Sequence, residues 1–248
     1  MRLLLVRVLP LALCVACGGG GDAARPDSAI ATPAAAPRTG DSTVAARPAA
    51  SAPGALAPLP LPAGARATAA RVARDTTAYG TGAAWARLAG GDSVRLADSA
   101  LRVWRVGDGT LVAWSGTDGA GGYENEGQSL TVADLARGTR TRVLADWFTV
   151  ADVAEARSGE ARALLVTMMD GGRGSMHVAV VDPARGTVFR TMNARGAVQG
   201  GRIVVESFGD GEEPVTRGDR RTPLRRDTFD PATVATMPVL VVPHSAPR

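Results

Sequence analysis

The sequence predicts an all-β chain built from repeats, and three observations carry that reading. Three segments align without gaps: TVADLARGTRTRVL at 131–144, AVVDPARGTVFRTM at 179–192 and DTFDPATVATMPVL at 227–240. Their aspartates, Asp134, Asp182 and Asp230, are spaced 48 residues apart, and a fixed period of that size marks a stacked or radial repeat. Short apolar runs rich in β-formers precede and follow each aspartate. Gly- and Asp-rich segments of the hairpin-turn type separate those runs.

In chain order the first element is a leader, residues 1–16. Arg2 and Arg7 precede an apolar run, Val8 to Ala16, which is the pattern of a secretory signal peptide. The run is too short to span a bilayer, which takes about 20 apolar residues. It ends in Val15-Ala16-Cys17-Gly18. That junction resembles the lipobox of bacterial lipoproteins, with Ala16 and Cys17 at its two strictest positions and Cys14 where leucine is usual. The resemblance implies that Cys17 becomes the mature N-terminus and carries diacylglycerol. Two or more acyl chains give stable membrane anchoring. Gly18 stands where enteric lipoproteins retained in the inner membrane carry aspartate, which favours the outer membrane.

Residues 17–70 read as the lipidated cysteine and a tether. Gly18 to Gly21 are glycines, the segment after them is dominated by Ala, Pro, Ser and Thr, and aromatic residues are absent. Eight of the 16 prolines lie between Pro26 and Pro62. Such a composition buries too little apolar surface to offset ordering entropy, so disorder or polyproline structure is expected. Fifty extended residues reach of the order of 150 Å. Residues 71–100 read as transitional. Ala83 to Ala89 (AAWARLA) reads as two helical turns stopped by Gly90-Gly91, with Asp92 and Ser93 placed to cap the next element.

Residues 101–248 read as the β-repeat domain. The upstream strands are Leu111–Trp114, Leu164–Met168 and Ile203–Val205. Strands Leu130–Ala133 and Val178–Val181 lead into the aspartates. The Asp-Pro-Ala or Asp-Leu-Ala-Arg-Gly segment is a tight turn, because aspartate accepts nearby backbone hydrogen bonds and Pro or Gly sets the dihedrals. Third strands come next at Thr141–Leu144, Val188–Met192 and Val234–Leu240, and Val150–Val153 leads to the next unit. Four strands in about 48 residues is the size of one β-propeller blade. These hairpins resemble those of bacterial propeller proteins. The resemblance implies a propeller-like meander, incomplete because three repeats plus residues 71–100 fall short of four periods. A β-sandwich is the alternative.

Composition excludes some functions. The only cysteines are Cys14 and Cys17, so the mature domain has no disulfide and no thiolate-bound metal. The isoelectric point of about 10.0 invites a nucleic-acid reading, but all 28 basic residues are arginine. Arginine's high pKa lifts the isoelectric point even at small net charge. Without the leader, 26 arginines face 24 acids, too small an excess to hold a phosphate backbone.

The search for chemistry yields few candidates. The histidines, His177 and His244, stand apart with no HExxH, so no transition-metal centre is expected. Ser207 lies in Val-Glu-Ser-Phe-Gly, where Val205 replaces the first glycine of a nucleophile elbow, and reads as a strand-end residue. Ser175 lies two residues before His177. Asp118, Glu124 and Glu126, in the turn GTDGAGGYENEG, are candidates for calcium, which takes oxygen ligands. Asp170, and then Asp210, Glu212 and Glu213, occupy the matching turns, so the acidic loops should leave one edge of the sheets. Arg217, Arg220, Arg221, Arg225 and Arg226 form one basic cluster in the third such loop, with the planar forks that suit phosphate or carboxylate. Trp114 and Trp147 read as core. Trp85, Trp104 and Tyr123 complete most of the aromatic surface.

The expectation is a lipid-anchored cell-envelope protein with a non-enzymatic β-repeat domain that binds or scaffolds a partner through its loop edge. No cofactor is expected. The partners would be the membrane, through the anchor, and another envelope protein or a cell-wall polymer. One alternative is a carboxylate-dependent glycan hydrolase, which needs two carboxylates about 5–9 Å apart. The other is a degenerate propeller without a retained site.

Overall fold

A computed structural model describes residues 54–74, 80–117, 128–146, 148–170, 174–209, 214–216, 218 and 220–240. All of them belong to one compact unit, residues 47–248. Strand β1 (Gly54–Leu56) comes first. The first sheet contains β2 (Ala67–Arg74), β3 (Gly82–Leu88) and β4 (Ser93–Ala100). The second contains β5 (Arg102–Val106), β6 (Leu111–Thr117), β7 (Gln128–Asp134) and β8 (Thr139–Asp146), with β1 added beside β8. The third contains β9 (Thr149–Ser158), β10 (Ala161–Met169), β11 (Met176–Asp182) and β12 (Gly186–Thr191). The fourth contains β13 (Ala194–Gln199), β14 (Arg202–Ser207) and β15 (Arg225–Phe229), and a single helical turn, α1 (Pro231–Val234), comes after it. Every pairing is antiparallel.

The sheets stack face to face in chain order. Successive side chains on a strand point to opposite faces, and the two middle sheets bury both. In the second sheet Val112, Trp114, Ala133 and Leu135 pack against Ala84, Ala86 and Leu96 of the first. Leu111, Ala113, Leu130 and Val132 turn the other way, onto Val153, Leu164 and Val166 of the third. The third sheet then turns Ala163, Leu165, Val178 and Val180 to Ile203, Val205 and Phe229 of the fourth. Burial on both faces explains why these strands read as unbroken apolar runs. A Cβ on Gly196 of β13 would come within 2.6 Å of the Leu165 side chain, so glycine there lets the fourth sheet approach closely. β2 lies against β5, β5 against β9 and β9 against β13. No closed barrel or propeller ring forms among the described residues.

The all-β expectation holds, and each strand expected through Ile203–Val205 lies within or across an observed one. Three readings need correction. The helix over Ala83–Ala89 is strand β3, where Ala84, Ala86 and Leu88 are buried alternately with Trp85 and Arg87. That period of two comes from packing against the second sheet, which overrides alanine's helical preference. Residues 71–100 are therefore a sheet rather than a transition. Part of the stretch assigned to the tether is also folded, since β1 and the start of β2 precede residue 71 and Leu59 and Ala65 are buried.

The third correction concerns the last repeat. Asp134 and Asp182 end β7 and β11 and open hairpins to β8 and β12. Gly138 and Gly186 make the return with positive φ of 68° and 132°, which glycine adopts without steric cost. The aligned position in the third repeat is Val234, a β-branched residue that cannot follow. Asp230 instead caps α1, accepting the Ala232 amide at 3.0 Å, with Pro231 at the first turn. The expected strand Val234–Leu240 is thus the end of this turn and an extended tail. Arg185 holds the tail through Val234 O at 2.7 Å and Met237 O at 3.0 Å.

Candidate functional site

The antiparallel meander creates two edges of different character. At one edge lie the short turns after β5, β7, β9 and β11. At the other lie the ends of β6, β10 and β14; most residues of the acidic loops expected to share an edge lie outside the described residues.

The short-turn edge is charged and closed on itself. Asp108 accepts the Thr110 hydroxyl at 2.7 Å, the Thr110 amide at 3.0 Å and Arg157 Nη1 at 3.2 Å. These bonds, led by the Thr110 hydroxyl, hold its carboxyl well below the usual carboxylate range against the opposing effect of burial. The hydrogen bond to Asp108 likewise raises the Arg157 guanidinium above its ordinary value. Glu155, only 6% exposed, faces Arg157 at 3.3 Å and Arg162 at 3.6 Å, and Arg162 donates to Thr110 at 2.6 Å. A cleft of about 330 Å³ opens here, lined by Asp134, Arg137, Arg157, Glu160 and Arg162 among others. Arg137 is bound to Asp134 at 2.8 Å, so each of the cleft's three arginines already has a carboxylate. The network ties the turn after β5 to the hairpin of β9 and β10, joining the second sheet to the third.

At the long-loop edge the described contact between the second and third sheets is uncharged. Gln128 accepts the Val150 amide at 3.1 Å and donates to Thr149 Oγ1 at 3.3 Å, joining the same two sheets without charge. Ser175 Oγ and His177 Nε2 share a hydrogen bond at 3.0 Å. The His177 ring stacks on Phe148 at 3.9 Å and 14°, and Arg190 lies over the far partner of that stack, 5.6 Å from the Phe148 centroid. Burial depresses the imidazole pKa; the Asp170 carboxylate opposes the shift and Arg190 adds to it. His177 Nδ1 and Ser115 Oγ are buried with no hydrogen-bond partner among the described residues. A serine nucleophile requires an accessible hydroxyl and a base oriented through its second nitrogen. Ser175 is 5% exposed, so this pair has neither feature among the described residues.

The residues singled out from sequence fall in different places. Cys17, Asp118, Glu124, Glu126, Asp210, Glu212, Glu213, Arg217, Tyr123, Trp147 and His244 lie outside the described residues. Arg225 and Arg226 are on strand β15, not in a loop, a correction to the basic-cluster reading. Arg225 pairs with Asp227 at 2.8 Å and Arg226 approaches Glu206 at 4.0 Å. Arg221 reaches Pro214 O at 3.4 Å and lies over Phe208, while Arg220 is exposed. Ser207 ends β14, and Trp114 is buried. Among the described residues no three His, Cys, Asp or Glu side chains converge as a metal site, and no helix is long and apolar enough to cross a membrane.

Sequence reasoning noticed Ser175 and His177 as neighbours but missed Ser115, Gln128 and Phe148, which reach the same edge from other strands. It missed the Asp108–Arg157–Glu155–Arg162 network as well, whose members come from the turn after β5 and from strands β9 and β10. No family model, curated protein or solved structure matches this chain.

Proposed function

We propose that this is a lipid-anchored envelope protein whose stacked sheets bind or scaffold a partner along the long-loop edge, without catalysis. The leader and the lipobox-like junction at Cys17 support the address, with the outer membrane favoured. The four sheets in chain order, each laid on the next, support reading them as blades of an open, propeller-like arc. The observation that carries the binding role is the contrast between the edges. Among the described residues the turn edge pairs its charges internally, whereas the loop edge keeps buried polar atoms without hydrogen-bond partners, His177 Nδ1 and Ser115 Oγ. Buried polar groups without partners are uncommon in native proteins and mark places where something else completes the bonding.

The test of the address is the intact mass of the mature protein from a membrane fraction of its native host, beside that of Cys17→Ser. The expected result is a chain beginning at Cys17 with added acyl mass, lost in the variant. An unmodified chain cut elsewhere removes the lipoprotein reading. The binding role is tested separately, by capture of envelope fractions on wild type and on Gln128→Ala, which disturbs only the loop edge. Equal capture by both would count against that edge.

A further inference from the structure

The two end sheets of the stack each leave one face without a neighbouring sheet, and the two faces differ. On the fourth sheet Arg195 is bound to Glu206 at 2.7 Å, Arg202 to Asp230 at 3.3 Å, and Arg226 approaches Glu206 at 4.0 Å. On the first sheet the register places Arg71 and Arg95 opposite Trp85, one on each side. The result is a cross-strand row Arg71–Trp85–Arg95. Arg87, two residues along β3, stands between Ala69 and Ser93 in the next row. Arg95 is held by Asp98 at 3.0 Å and lies over one face of the Trp85 ring, 6.0 Å from its centroid, so a ligand would meet the ring from its other side. Arg71 and Arg87 are exposed and make no side-chain hydrogen bond or ion pair among the described residues. The neighbours Ala69 and Ala73 are small and exposed, so among the described residues neither shields the row.

We propose that this outer face of β2–β4 binds an acidic polysaccharide, with the Arg71 and Arg87 forks on its carboxylates and the Trp85 ring against the C–H face of a sugar. Planar guanidinium suits carboxylate in two-pronged geometry, and a half-buried indole offers a flat apolar platform without protruding. Three other occupants fit worse. A second copy would set one arginine-rich end face against another. A bilayer surface calls for apolar side chains that reach into the lipid, and this face carries alanines around a recessed tryptophan. Single-stranded nucleic acid is held in a groove with several aromatic platforms, and this face is open with one. The surface lies apart from the long-loop edge and does not depend on the lipid anchor.

The test uses the full chain purified in nonionic detergent, with polygalacturonate as probe. Dextran, phosphatidylglycerol vesicles and single-stranded DNA serve as comparisons. Binding is read by calorimetry and by tryptophan fluorescence. The expected result is saturable, salt-sensitive binding of polygalacturonate but not dextran. It should weaken by roughly tenfold or more in Arg71→Gln/Arg87→Gln, as the loss of charge-assisted bonds implies. The fluorescence change should disappear in Trp85→Phe. Circular dichroism and the melting midpoint of the arginine variant should match wild type, because both side chains are exposed, and Arg87→Gln alone provides a milder second variant. Undiminished binding by the arginine variants, no binding by wild type, or tighter binding of vesicles or DNA than of polygalacturonate would each overturn the proposal. Cys17→Ser should bind polygalacturonate like wild type, which separates this surface from the envelope address.

Discussion

The two edges of the stack join the same second and third sheets by opposite means. At the turn edge, Asp108, Arg157, Glu155 and Arg162 make the connection with ion pairs and charge-assisted hydrogen bonds at 2.6–3.6 Å. At the loop edge, Gln128 does it with two neutral hydrogen bonds, beside a buried histidine whose Nδ1 has no partner. The charged edge leaves little bonding capacity for a ligand, even around its cleft of about 330 Å³. The neutral edge leaves some. Cavity size and charge density therefore point to one edge, and unused hydrogen-bonding capacity to the other. The second is the better guide, because a paired arginine has to break a bond before it can make one.

The largest expected effect comes from opening the charged edge. Glu155→Ala leaves Arg162 without its carboxylate and Arg157 with Asp108 alone. We predict a loss of about 3 kcal/mol, in the range for breaking a buried pair, read as a lower urea midpoint at unchanged slope. If stability barely moved, the network would be ornament and the contrast between edges would collapse.

Gly107→Ala should cost roughly 2 kcal/mol, since the residue has a positive φ of 54° and its new Cβ would overlap the Glu155 carboxylate. The same denaturation series reads it. Combined with Glu155→Ala the two losses should fall short of additive, as expected for residues in contact.

The edges should also respond to acid in different windows. His177 is neutral and buried, with its folded pKa below the ordinary value near 6.5. The unfolded chain therefore takes up the proton first, and stability falls as pH drops below about 6.5. Asp108 has its folded pKa far below the ordinary value near 4. Its contribution is fully present above that value and is lost only as pH falls below about 4. We predict that His177→Leu removes a slope of up to about 1 kcal/mol per pH unit below pH 6.5 while keeping the steeper acid limb. A variant that retains the first slope would place its origin elsewhere.

The smallest effect should be at Ser115, whose buried hydroxyl lacks a hydrogen-bond partner. Ser115→Ala should change stability by no more than about 0.5 kcal/mol, or raise it slightly. A clear loss would show that the hydroxyl has a partner in the folded protein and would weaken the case for unused capacity at this edge.

Much of the fold was legible, for reasons visible in particular residues. Leu111–Trp114, Leu164–Met168 and Val178–Val181 are apolar at every position because their sheets are buried on both faces, so they stand out as strands. Asp134 and Asp182 mark hairpins because Gly138 and Gly186 come after them at the right distance. Strands β13 and β15 were missed, since Gly196 serves close approach rather than packing and Arg225-Arg226-Asp227 looks like a loop. Strand β3 was mistaken for a helix because alanine states no strand preference of its own. The site was less legible than the fold. Gln128, Phe148, Ser175 and His177 come from different parts of the chain, and only one pair among them, Ser175 and His177, is close in sequence.

By itself the sequence determined the all-β class and the hairpin turns at Asp134 and Asp182, which recur 48 residues apart. These are local properties, set by side-chain alternation and by the dihedrals that Asp, Pro and Gly allow. Only the tertiary structure decided which carboxylates and arginines neutralise one another, which polar atoms are buried without partners, and which sheet face leaves Arg71 and Arg87 without a carboxylate among the described residues. Those outcomes depend on distances between segments remote in the chain, and charge and hydrogen-bond satisfaction are sums over such neighbours. The same arginine is a clamp at position 157 and an open fork at position 71 because only one of them has a carboxylate folded against it.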